Sequence, residues 1–125
     1  MSSGELGRTL APGDYLVRQG EEGQCMYVIQ EGQAEIVLTR EGAPVRLGIR
    51  GPGDIVGEMA IFERERRVAD VRALTRLRVL TVDRKNFLQR VREDPTVAFR
   101  VVEQMSRRLR ALSEEIGQLK GARPE

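Results

Sequence analysis

Between Asp14 and Val82, glycine-bearing turns cut the chain into short β-branched runs, among them Tyr15-Leu16-Val17, Met26 to Ile29, Ala34 to Leu38 and Val45 to Ile49. None is long enough for a helix, and such runs at such spacing point to an antiparallel barrel or sandwich. Glu31-Gly32 and Glu41-Gly42-Ala43-Pro44 have the composition of turns between neighbouring strands. Glu35, Val37 and Thr39 alternate only roughly with Ala34, Ile36 and Leu38, which leaves the facing of that strand open.

The period changes after Val82. Asp83 is placed to cap a helix carrying Phe87, Leu88 and Val91, and Asp94-Pro95 opens a second helix with a cap followed by proline at its first position. In that last helix Ala98, Val102, Met105, Leu109, Leu112, Ile116 and Leu119 recur at alternating steps of four and three, a heptad with Val102, Leu109 and Ile116 at a. Phe99 and Val101 widen the apolar face of the first turn, where packing on the chain's own barrel is expected. Beyond Leu109 the stripe narrows between Arg108, Ser113, Glu115 and Lys120, and Glu115 at g is set to meet Lys120 at e of a partner helix. β-Branched a positions with mostly Leu or Met at d suit a parallel homodimer. The expected organisation is an N-terminal tail at 1–9, a β barrel with short helices at 10–93, a dimerisation helix at 94–120 and a frayed end at 121–125.

At 125 residues the chain makes one domain and buries roughly two thirds of its unfolded surface in a single core. Cys25 is alone, so no internal disulfide forms, which favours a reducing compartment; between a turn and an apolar run it reads as a buried structural thiol. No segment approaches the apolar length of a membrane span, and Met1-Ser2-Ser3-Gly4-Glu5 lacks the basic and apolar regions of a secretory signal. A cytoplasmic protein without a membrane partner is expected. A net charge of +2 is too mild to imply nucleic acid.

The absence of histidine removes the usual metal ligand and the usual general base together. Histidine-based metal sites of the cupin kind are excluded, as are serine-histidine and cysteine-histidine nucleophile pairs. No catalytic residue and no metal is expected. An enzyme acting on a nucleotide phosphodiester would need a metal cluster or a base, and the sequence offers neither.

The segment Gly57-Glu58-Met59-Ala60-Ile61-Phe62, followed by Arg67-Val68-Ala69-Asp70-Val71, holds the parts for a sugar phosphate. Gly57 lets the backbone approach a ligand closely. The amides of Glu58, Met59 and Ala60 favour an anion if a short helix starts there. Glu58 is suited to a ribose hydroxyl, and the planar fork of Arg67 to phosphate oxygens. On spacing alone, a Gly-Glu turn and a solvated surface arginine remain equally good readings.

Pro12-Gly13-Asp14, Gln19-Gly20-Glu21-Glu22-Gly23, Met26-Tyr27-Val28-Ile29, Glu31-Gly32 and Gly51-Pro52-Gly53-Asp54-Ile55-Val56-Gly57-Glu58 follow one another in an order that resembles the cyclic-nucleotide-binding domain family, from about Leu10 to Leu119. The stretch from Gln104 to Leu119 is similar to the dimer helix of the family's bacterial catabolite activators. The resemblance implies a mainly β fold with flanking helices, an antiparallel double-stranded β-helix (jelly-roll) barrel plus C-terminal helices. It implies a non-catalytic regulatory module with no cofactor that binds cAMP, or secondarily cGMP, as its ligand. Glu58 would then bind the ribose 2′-hydroxyl and Arg67 the cyclic phosphate, with backbone amides at Ala60 and Val68 completing the cradle. Gly57, Met59 and Ala69 complete the binding segment, and Leu112 and Ser113 fall where base contacts are made.

Several residues depart from the family pattern. Val68 stands where hydroxyl or alanine side chains are usual, and Asp70 puts negative charge near an anionic ligand if it faces the pocket. Leu112 is apolar where the activators use a hydroxyl for the adenine amine. These three favour the alternative of a degenerate module kept for dimerisation or another ligand, whereas Glu58 and Arg67 oppose it. Arg64, Glu65 and Arg66 read as solvated loop charges, with Arg66 the rival of Arg67 by register. Before Thr9 there is no amphipathic segment for the helices that usually precede the barrel. After Leu119 too few residues follow for a helix-turn-helix domain, so no specific DNA binding by this chain alone is expected.

Overall fold

The structure, a computed structural model, describes residues 7–62 and 66–121. Arg64 and Glu65, the sequence before Gly7 and the end after Gly121 lie outside the described residues. The chain divides into two units, one through Gln89 and a helical one from Arg90.

The first unit is built from eight strands: β1 Gly7–Leu10, β2 Tyr15–Val17, β3 Cys25–Glu31, β4 Ala34–Arg40, β5 Ala43–Arg50, β6 Ile55–Val56, β7 Asp70–Ala73 and β8 Leu77–Asp83. They form two antiparallel four-stranded sheets, in the orders β1-β8-β3-β6 and β2-β7-β4-β5. The sheets do not close on one another, so the expected jelly-roll barrel is an open jelly-roll-like sandwich. Leu10, Tyr27, Ile29, Val56, Leu77 and Val79 of one sheet and Leu16, Val17, Ala34, Val71 and Ala73 of the other form one buried cluster, the core that each sheet needs for its apolar face.

Strand β1 begins at Gly7, inside the segment expected to be a tail, because Gly7 to Leu10 pair with Leu80 to Leu77 of β8. Ala34 is fully buried and Ile36 packs against the cluster, which settles the facing left open for β4. Pro44 and Ala43 lie within β5 rather than in the turn, which narrows to Glu41-Gly42. Bulges break the alternation: Ile36 pairs with Gly48 and Val37 with Arg46, so Leu47 is an extra residue in β5. A second bulge between Tyr15 and Val17 lets Leu16 and Val17 both be buried. The sequence Pro-Gly-Asp makes the same turn twice: Asp14 and Asp54 accept the amides of Ala11 and Gly51 through their carboxylates, at 3.0 and 2.7 Å.

Helix α1, Met59–Phe62, is a single turn between β6 and β7, and α2 spans Arg84–Glu93. Asp83 caps α2, its Oδ1 accepting the amide of Asn86 at 2.8 Å.

The second unit is dominated by α3, Thr96–Gly121. Asp94 precedes it and accepts both the hydroxyl and the amide of Thr96, at 2.6 and 3.1 Å. Val102, Leu109, Leu112, Ile116 and Leu119 are exposed along it. Of the two residues expected to widen its first face, Val101 is buried but Phe99 is exposed. Among the described residues no helix is long and apolar enough to cross a membrane.

Candidate phosphate-binding site

The chain leaves β6 at Gly57, whose φ of +73° lies in the left-handed region that residues with a Cβ rarely adopt. A Cβ there would also stand 2.6 Å from Nη1 of Arg67 and 3.6 Å from the Cys25 carbonyl oxygen. Conformation and space both require glycine. The one-turn α1 follows, with the Glu58 carbonyl accepting the amides of Ile61 and Phe62 at 3.0 and 3.3 Å. Glu58 and Met59 are half-buried, and Ala60 lies in α1 between Met59 and Ile61.

Arg67 reaches this segment from the other direction. Its amide donates to the Glu21 carbonyl and its carbonyl accepts the amide of Gly20, both at 2.8 Å, and Arg66 bridges to Glu22 beside it. This local ladder fixes the alternation of the following strand: Arg67, Ala69, Val71 and Ala73 are buried, and Arg66, Val68 and Arg72 are exposed. The rivalry between neighbouring arginines is thereby settled as geometry. The Arg66 side chain, 69% exposed, donates to the Gly20 carbonyl and lies 3.7 Å from Glu22, whereas Arg67 is 8% exposed.

Nη1 of Arg67 donates to the Gly57 carbonyl at 3.1 Å, and Nη2 lies 3.9 Å from Sγ of Cys25. Its Cζ stands 5.8 Å from the centre of the Tyr27 ring. On the remaining side is Gly23, where a Cβ would overlap Nε and Cζ of the guanidinium. Among the described residues Arg67 is the one buried charged side chain, and no carboxylate stands within ion-pair distance of it. A buried charge without a countercharge is costly, and such costs concentrate where a fold binds something. Burial pushes the Tyr27 phenol above its ordinary value, with the neighbouring thiol adding to the rise and Arg67 opposing it.

The structure thus brings Gly57 and Arg67 into contact and gathers Glu58, Met59 and Ala69 into the same unit. Val68 is exposed, its side chain on the opposite face from Arg67 and Ala69. Asp70 faces outward as well, its Oδ1 accepting the Gln19 amide at 2.7 Å and lying 3.7 Å from Nε of Arg18. Its charge is already engaged there, away from the buried face of its strand. Cys25 is half-buried rather than buried, packed against the core cluster at the lip of the arginine slot. Leu112 and Ser113 are exposed within α3, in the second unit. Sequence reasoning assigned no role here to Gly23, Cys25 or Tyr27, although all three lie in or beside the glycine progression it used.

The sequence model of the cyclic nucleotide-binding domain family matches residues 7–94. The cAMP-activated global transcriptional regulator CRP of Salmonella typhimurium is 35% identical over 106 residues, which are 83% of this chain and 50% of that protein. The cAMP-dependent protein kinase regulatory subunit of Schizosaccharomyces pombe is 39% identical over 75 residues, 60% of this chain and 18% of that protein. Among solved structures, the Thermus thermophilus catabolite activator protein superposes with a TM-score of 0.82 at 28% identity, over 94% of this chain and 56% of that one. The chain spans about half the length of the bacterial regulators it matches.

Proposed function

This chain belongs to the cyclic nucleotide-binding domain family, and from that premise we propose that it is a non-catalytic regulatory module whose ligand is cAMP. The observation that carries the reading is the buried guanidinium of Arg67, held by a backbone carbonyl and a thiol rather than by a carboxylate among the described residues. It retains a full positive charge in a low-dielectric slot, where an anion gains most from it. In this reading Arg67 and the amides near Ala60 and Val68 take the cyclic phosphate, Glu58 takes the ribose, and Leu112 and Ser113 approach the base. Cytoplasmic, cAMP-activated relatives support the choice of ligand through their names alone.

The same reading includes a parallel homodimer through α3. Its support is the row of exposed apolar side chains at Val102, Leu109, Leu112, Ile116 and Leu119, an arrangement that a lone helix leaves wet.

Calorimetric titration with cAMP and cGMP tests the proposal. Arg67→Ala is expected to cost on the order of 2–5 kcal/mol of binding free energy, as truncation of a buried charged contact does. Arg66→Ala is expected to leave binding unchanged. An Arg67→Ala variant that binds cAMP as the parent does would remove the site.

A further inference from the structure

The segment from Gly57 to Phe62 is gripped by an arginine at each end. Nη1 of Arg67 donates to the Gly57 carbonyl at 3.1 Å, and Nη1 of Arg84, in the first turn of α2, donates to the Ile61 carbonyl at 2.8 Å. Phe62 adds an edge-to-face contact with Phe87 one turn further along α2, the ring centres 5.7 Å apart at 85°. The start of α2 is itself fixed by the Asp83 cap, so Arg84 projects from an anchored turn.

The two grips are not equivalent. Arg67 lies in the proposed anion site, and a phosphate there competes with the Gly57 carbonyl for the same donors. Arg84 engages the opposite end, where its acceptor Ile61 is 2% exposed. With only one helical turn in α1, the segment has little internal hydrogen bonding to hold its shape alone.

We propose that Arg84 is a positioning residue for the nucleotide site: it seats the segment 57–62 against α2 while Arg67 serves the ligand, and thereby couples occupancy of the site to the placement of α2. The inference rests on the cyclic-nucleotide reading above. Because coupling is reciprocal, a ligand that orders the segment also strengthens its tie to Arg84.

The test uses Arg84→Met, which keeps an apolar stem but has no donor, and Arg84→Lys, which restores one. Amide hydrogen exchange on the ligand-free chain is read first. The amides of Ile61 and Phe62 are expected to exchange about tenfold faster in Arg84→Met, with those of Ile29 and Val79 in the sheet core unchanged, and Arg84→Lys is expected to recover most of the protection. Titration with cAMP is read second, with affinity about tenfold weaker in Arg84→Met and partly restored in Arg84→Lys, within the usual range of such couplings. Unchanged exchange at Ile61 and Phe62 in Arg84→Met overturns the positioning role, whether or not the parent binds cAMP. Faster exchange with undiminished cAMP affinity overturns its link to the ligand. A parent that binds neither nucleotide defeats the functional reading instead, and the exchange data still judge Arg84. If Arg84→Met does not fold, exchange in Arg84→Lys decides, because a single ammonium cannot reproduce the guanidinium grip in full.

Discussion

The guanidinium of Arg67 lies where any side chain at position 23 would begin, so the glycine at 23 and the arginine at 67 are parts of one slot. Gly23 is not among the glycines at positive φ, so its backbone tolerates other residues. The clash of a substituted side chain falls on the flexible end of Arg67. Gly23→Val is therefore expected to lower cAMP affinity by more than about tenfold, roughly 1.4 kcal/mol. The thermal midpoint should stay near that of the parent. Binding and melting measured on the same preparation separate the two effects. Parental affinity in the valine variant would mean that Arg67 works from another position.

Acid should weaken the start of α3. The Thr96 hydroxyl, and after it the Thr96 amide, hold the Asp94 carboxyl below the usual aspartate value. A depressed folded value means that the carboxylate's contribution is fully present above the unfolded value, about 3.9, and disappears as pH falls through the lower folded one. The stability gap between the parent and Asp94→Ala should therefore be constant near neutrality and close below about pH 4. Denaturant titrations at a series of pH values follow it, and a gap that widened on acidification would contradict the cap.

Replacing Leu109 and Ile116 with aspartate places charge at successive a positions of the exposed stripe on α3. The parent should sediment as a dimer at roughly tens of micromolar, where mass action favours assembly, and the double variant as a monomer. A monomeric parent at that concentration would leave the stripe to some other partner.

Base choice should be modest. Leu112 has no hydroxyl for an adenine amine and Val68 none for a guanine edge, so apolar contact sets a preference of about 1–3 kcal/mol at most. Competition of cAMP with cGMP should favour cAMP in the parent and favour it more strongly in Leu112→Thr. An unchanged ratio would mean that Leu112 does not meet the base.

Much of this was legible in the sequence because the signals were local. The runs at Tyr15–Val17 and Ala34–Leu38, the Asp83 cap and the change of period after Val82 each follow from neighbours along the chain. The segment around Gly57 and Glu58 was legible for the same reason. Three things were not. The bulge that adds Leu47 to β5 depends on the partner strand, so no period within β5 announces it. The extension of β1 back to Gly7 depends on β8, far along the chain. The surroundings of Arg67 were hidden because Gly23, Cys25 and Tyr27 converge on it only after the sheet forms, and a glycine chosen for the space it leaves looks no different from one chosen for a turn.

The slot around Arg67 also decides what this molecule is unable to sense. A guanidinium does not lose its proton under any cellular condition, and the neighbouring Tyr27 phenol, pushed upward by burial, keeps its own. With no histidine anywhere in the chain, nothing of that kind stands by to titrate near neutrality. A drop in cellular pH that would switch an imidazole-based receptor leaves the charge of Arg67 as it was. Whatever message this domain carries is then written in the concentration of its anion and not in the concentration of protons.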